Sequence, residues 1–66
     1  MQIGLIGLGK MGYPLALNMQ ASHEVITFDI NEKLRSRISM EGVVSASSIH
    51  ELVSSLHGPR IIWLMV

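Results

Sequence analysis

Gly7, Gly9 and Gly12 stand in the order Gly-Leu-Gly-Lys-Met-Gly, directly after the apolar run Ile3 to Ile6. That spacing fits a phosphate-binding turn between a strand and a helix. The first glycine permits the tight turn, the second lets the backbone approach a pyrophosphate, and the third lets the helix pack close to the sheet. The holding groups would be the free N–H groups of Leu8, Lys10 and Met11, helped by the positive end of the helix dipole, so no basic side chain is required. A glycine-rich turn that binds nothing can carry the same letters, so the weight of the motif rests on its flanks.

A second residue with chemical meaning lies about twenty positions after Gly9. Asp29 ends the β-branched and aromatic run Glu24 to Asp29, where a carboxylate can accept hydrogen bonds from both hydroxyls of an adenosine ribose. This favours NAD over NADP, because a 2′-phosphate would face a carboxylate and the next residue, Ile30, carries no compensating charge. The other reading of Asp29 is a solvated turn residue ahead of Asn31. The cofactor-binding set is therefore Gly7, Leu8, Gly9, Lys10, Met11, Gly12, Asp29, Ile30 and Asn31, with Met65 and Val66 closing the crevice from the last strand. Gly4 to Met11 also fits a nucleoside-triphosphate loop up to its last place, but Met11 stands where a serine or threonine must ligand Mg²⁺. An ATPase or GTPase reading is rejected on that ground.

These residues need a particular frame. Gln2 to Ile6 and Arg60 to Val66 read as strands buried on two faces, as parallel sheets require. Glu24 to Asp29 is a third strand, and Val43 to Ala46 a weaker one. The segments between them have helical periodicity. Met11, Leu15 and Met19 line one face of a helix from Lys10 to Gln20, with Pro14 tolerated near its first turn. Asn31 caps a second helix with Leu34 and Ile38 inward, ended by Gly42. Ser48-Ile-His-Glu51 is a capping box that opens a third, with Ile49, Leu52, Val53 and Leu56 inward and Gly58-Pro59 as its stop. The order β-α-β-α-β-α-β with right-handed crossovers predicts an α/β fold, the first half of a Rossmann fold. Its four parallel strands run in order 3-2-1-4, with two helices on one face and the third on the other.

Composition bounds the partners. Five basic residues balance five acidic ones, so no footprint for nucleic acid or an anionic membrane surface is present. No apolar run approaches the ~18 residues of a membrane span. The absence of cysteine fits a reducing, cytoplasmic setting. His23, His50 and His57 are scattered, which indicates neither a metal site nor a triad; Lys33, Arg35 and Arg37 read as one solvated helix surface, with Lys33 or Arg35 near the adenine edge, and Trp63 reads as core. With 66 residues the chain holds one core at most, and we expect residues 1–66 to be the N-terminal part of a dinucleotide-binding domain whose substrate and catalytic domain lies elsewhere. The apolar run Ile61 to Val66 would then form an unpaired edge that invites self-association.

Ile3-Gly-Leu-Ile-Gly-Leu-Gly-Lys-Met-Gly12, followed by Leu15-Ala-Leu-Asn18-Met19, resembles the N-terminus of 6-phosphogluconate dehydrogenases, within the β-hydroxyacid dehydrogenase superfamily. The resemblance extends through His23-Glu-Val, through Asp29-Ile30 where the NADP-linked members have asparagine and arginine, and through Leu64-Met-Val66. It implies an NAD-dependent oxidoreductase, homo-oligomeric, that oxidises 6-phosphogluconate and decarboxylates it to ribulose 5-phosphate. The family's Gly-Gly substrate motif, its catalytic lysine and its asparagine have no counterpart in this chain, so no catalytic residue is carried over. Pro14 is closer to the 3-hydroxyisobutyrate type, which stays open as an alternative. A non-catalytic NAD-sensing module is a third reading, disfavoured by Met11, where such sensors carry an aromatic residue.

Overall fold

The computed structural model describes residues 2–58 and 61–65. The element order is β1 (Gln2–Ile6), α1 (Gly12–Gln20), β2 (Glu24–Phe28), α2 (Glu32–Met40), β3 (Val44–Ser45), α3 (Ile49–Ser55) and β4 (Ile61–Leu64). All strand pairs are parallel, in the order β3-β2-β1-β4. This is the α/β half-Rossmann arrangement expected from the alternation of strands with helix-length crossovers.

Strand periodicity divides the core into two layers. Ile3 pairs with Val25 and Leu5 with Thr27; Leu5 and Val25 point to the side where Ala16 of α1 and Ile38 of α2 join them. Ile26 and Phe28 point the other way, against Leu52 and Leu56 of α3. Thr27 is the buried polar residue of the sheet, and its hydroxyl donates to the Val44 carbonyl at 3.0 Å. α3 lies close on β1 because residue 4 is glycine: a Cβ there would stand 2.7 Å from Leu52 Cδ2.

The helix starts follow their caps, with one change of partner. Asn31 Oδ1 accepts from the Lys33 and Leu34 N–H groups, and Gly42, at φ 89°, follows the end of α2. Ser48 Oγ accepts from the Glu51 N–H at 3.0 Å. The reciprocal arm of the expected capping box goes one residue further back, since the Glu51 carboxylate accepts from both the N–H and the hydroxyl of Ser47. The Ser47 hydroxyl, then its N–H, holds the Glu51 carboxyl below its ordinary range.

Four expectations are corrected. α1 begins at Gly12 rather than Lys10, so Met11 lies before the helix and is 72% exposed; the residues buried along α1 are Gly12 and Ala16, with Leu15 and Met19 flanking the core. Ile49 opens α3 from its solvent side and is exposed, leaving Leu52 and Leu56 as the buried positions. β4 is not buried on both faces, because it is an outer strand paired with β1 alone among the described residues. Trp63 is accordingly 42% exposed rather than core. Arg60, Pro59 and Val66, assigned to the last turn and strand, lie outside the described residues.

Two outcomes follow. Leu52→Ala removes a fully buried side chain and should lower unfolding free energy by about 2–5 kcal/mol in urea titration. Because Glu51 has its carboxyl value lowered by folding, its contribution is complete above the ordinary carboxylate value and is lost as pH falls through the lower, folded one. A thermal midpoint measured against pH should therefore drop less steeply on the acid side in Glu51→Gln.

Candidate dinucleotide site

The carboxyl edge of the sheet is shaped by the turn that leaves β1. Gly7 adopts φ 106°, a region that side chains with a Cβ rarely enter. A Cβ on Gly7 would also stand 2.4 Å from the Met65 carbonyl oxygen, and one on Gly12 would stand 1.9 Å from the Gly7 carbonyl oxygen. The start of α1 is thus pressed against the turn itself. Around Gly9 nothing lies within 4 Å of such a position, so the middle of the loop faces open space.

The polar groups of the loop divide into two sets. Gly7 N donates to the Phe28 carbonyl at 2.9 Å, and Met65 N donates to the Ile6 carbonyl at 2.8 Å. Those bonds extend the pairing of β1 with both neighbours by one residue. Leu8 N donates to Asp29 Oδ2 at 2.7 Å. This corrects the expectation that the Leu8 N–H is free: it is occupied, and the Leu8 side chain is buried in the core. Gly9, Lys10, Met11 and Gly12 make no N–H hydrogen bond among the described residues, as the first N–H groups of a helix and its approach do not. They form a patch of donors at the positive end of α1, which carries no acidic residue in its first turn. Oriented donors at a helix terminus without a compensating acid have the geometry that suits an anion.

Asp29 lies half-buried, immediately past β2. Its Oδ1 accepts from the Asn31 N–H at 2.8 Å, so the turn role and the proximity to the glycine loop hold at the same time. Each carboxylate oxygen keeps acceptor capacity beyond its one protein bond. Ile30 follows at 89% exposed, and the Asn31 side chain is spent on capping α2.

Three clefts border the loop: one of about 370 Å³ is lined by Leu8, Gly9, Lys10, Tyr13, Pro14, Leu34 and Arg37, and two more lie toward β4 and β2. One, of about 300 Å³, is lined by Gly9, Lys10, Met11, Gly12, Leu64 and Met65, which is the crevice expected between β1 and β4; Val66 falls outside the described residues. The other, of about 160 Å³, is lined by Ile6, Gly7, Phe28, Asp29, Ile30 and Ile49. Ile49 was not legible as a site residue, because its helical spacing matches that of the core positions. Arg35, expected as a solvated cation, stacks over the Phe28 ring at 5.7 Å and donates to the Ser47 carbonyl at 3.1 Å. Arg37 lies 5.9 Å from the Tyr13 ring centroid. The Tyr13 hydroxyl donates to the Glu41 carboxylate, which raises the phenol above its ordinary value and ties α1 to the end of α2. Among the described residues no group of three or more metal-ligating side chains occurs, and no helix is long and apolar enough to cross a membrane.

Comparison with known proteins gives the chain a family. The family model described as the NAD binding domain of 6-phosphogluconate dehydrogenase matches residues 2–66. A Bacillus subtilis protein, YqeC, is 39% identical over 67 residues, covering 100% of this chain and 23% of the relative. The NAD(+)-dependent, decarboxylating 6-phosphogluconate dehydrogenase of Haloferax volcanii is 39% identical over 67 residues, covering 100% of this chain and 22% of the relative. An NADP(+)-dependent, decarboxylating 6-phosphogluconate dehydrogenase of Bacillus subtilis is 40% identical over 70 residues, covering 98% of this chain and 15% of the relative. The chain therefore spans less than a quarter of the length of these relatives.

Gly12 and Gly9 should differ sharply in their tolerance of a side chain. Gly12→Ala forces a Cβ into the Gly7 carbonyl and should cost about 2–3 kcal/mol in urea unfolding, whereas Gly9→Ala should stay within about 1 kcal/mol of the unaltered chain.

Proposed function

Because the chain belongs to the family of NAD binding domains of 6-phosphogluconate dehydrogenase, we propose that it holds NAD along the carboxyl edge of its sheet, as the cofactor-binding part of an NAD-linked oxidoreductase. The pyrophosphate rests on the unpartnered N–H groups of Gly9, Lys10, Met11 and Gly12. Gly7 and Gly12 supply the close-packed turn, and Leu8 supports it from below. The adenosine ribose sits on Asp29. The exposed apolar side chains of Ile30 and Ile49, on the cleft beside Asp29, offer walls for the adenine ring. Asn31 fixes the turn behind it. Met65, with Val66 following it in sequence, borders the path toward the nicotinamide half.

The observation that carries the choice of NAD is the Asp29 carboxylate. Overall similarity does not choose, since relatives named for NAD(+) and for NADP(+) match at 39% and 40% identity. A 2′-phosphate placed on the same ribose would meet the carboxylate, with Ile30 rather than a cation beside it. Like charges at a few ångströms in a partly desolvated site cost more than one power of ten in affinity.

For the whole protein we propose the reaction that its relatives' names carry. The 3-hydroxyl of 6-phosphogluconate is oxidised and the resulting β-keto acid loses carbon dioxide, giving ribulose 5-phosphate. Bound NAD supplies the hydride acceptor. Binding, orienting and protonating the sugar acid fall to residues outside this chain. A homo-oligomer is proposed from the exposed apolar edge of β4, and a cytoplasmic setting from the absence of cysteine.

Calorimetric titration tests this reading. NAD should bind about tenfold or more tightly than NADP, and Asp29→Ala should narrow that ratio. Equal affinities in the unaltered chain would remove the ribose role of Asp29.

A further inference from the structure

The last backbone bond between β1 and β2 runs from Gly7 N to the Phe28 carbonyl. One residue later the turn at Gly7 has carried the chain away from β2, and the Leu8 N–H has no main-chain acceptor there. The Asp29 side chain takes that place, with Oδ2 2.7 Å from Leu8 N. Its other oxygen is held by Asn31 N at 2.8 Å, and Asn31 is itself fixed as the cap of α2. The carboxylate is therefore clamped from both sides. Leu8 is clamped as well, because its side chain is buried at 1% exposure, and a buried N–H must be satisfied.

We propose that Asp29 is a positioning residue for the phosphate-binding loop, in addition to its role toward the ribose. By fixing Leu8, the carboxylate sets the plane from which the N–H groups of Gly9, Lys10, Met11 and Gly12 point. The ribose and pyrophosphate parts of the site thus share one side chain, and a ligand without any ribose still depends on Asp29. This rests on the nucleotide reading of the loop. An amide in this position cannot reproduce the clamp. It has one acceptor oxygen and two N–H donors, so either Leu8 N–H or Asn31 N–H faces a donor.

Amide hydrogen exchange on the ¹⁵N-labelled chain, together with binding of inorganic pyrophosphate, provides the test. In the unaltered chain the Leu8 amide should exchange about tenfold or more slowly than those of Gly9, Lys10 and Met11, which lack partners. In Asp29→Asn, the Leu8 or the Asn31 amide, whichever meets the new N–H donor, should lose about tenfold of its protection, and the Gly9 to Met11 resonances should move while those of Val25 and Ile26 stay in place. Pyrophosphate, titrated in about 0.5 M salt so that the altered charge is largely screened, should bind Asp29→Asn about tenfold more weakly. An unprotected Leu8 amide in the unaltered chain would overturn the proposal. So would an unchanged pyrophosphate affinity in Asp29→Asn alongside a reduced NAD affinity, which would confine Asp29 to the ribose. A Leu8 amide protected in a chain that binds neither pyrophosphate nor NAD would overturn the nucleotide reading, and the positioning role with it, while leaving the hydrogen bond intact.

Discussion

The approach of residue 12 to the Gly7 carbonyl is the constraint on which the candidate site depends. With room for no Cβ at Gly12 and none at Gly7 against the Met65 carbonyl, three segments meet at one point: the exit of β1, the entry of α1 and the exit of β4. Contact this close between backbones is available only to glycine. It brings the first N–H groups of α1 to the sheet edge and leaves them facing outward. Their orientation follows from that close packing.

The sheet edge does the remaining work. Parallel strands stop pairing where the chain turns into a helix, and each such end leaves N–H groups without acceptors. Here the Asp29 carboxylate serves Leu8 and Asn31, and the carbonyls of Phe28 and Ile6 serve Gly7 and Met65. The run Gly9 to Gly12 stays unserved among the described residues. The crevice opens between β1 and β4, where the strand order reverses. Ligands of open parallel sheets bind at that kind of position.

Much of this was legible in the sequence for physical reasons that are local. Glycine spacing, the Asn31 and Ser48 caps and the alternation of strand and helix signals each reflect interactions within a few residues, and the strand order follows once crossovers are right-handed. What was not legible depended on contacts across the chain. Met11 matches the helical period of Leu15 and Met19 but precedes the helix. Ile49 fits the stripe of Leu52 and Leu56 but lies at the helix entrance, where it turns toward the Asp29 cleft. Trp63 is as apolar as a core residue, yet β4 is an outer strand. The occupied Leu8 N–H follows from a side chain 21 positions away, which no local pattern encodes.

The most direct test of the central claim, that this edge is a dinucleotide site, is chemical-shift mapping of the backbone amides during titration with NAD. The account requires the largest changes at Gly9, Lys10, Met11 and Gly12 and at Asp29 to Asn31, with the α2 surface around Ser36 and Met40 unaffected. Changes spread evenly over the surface, or centred away from the glycine loop, would contradict it.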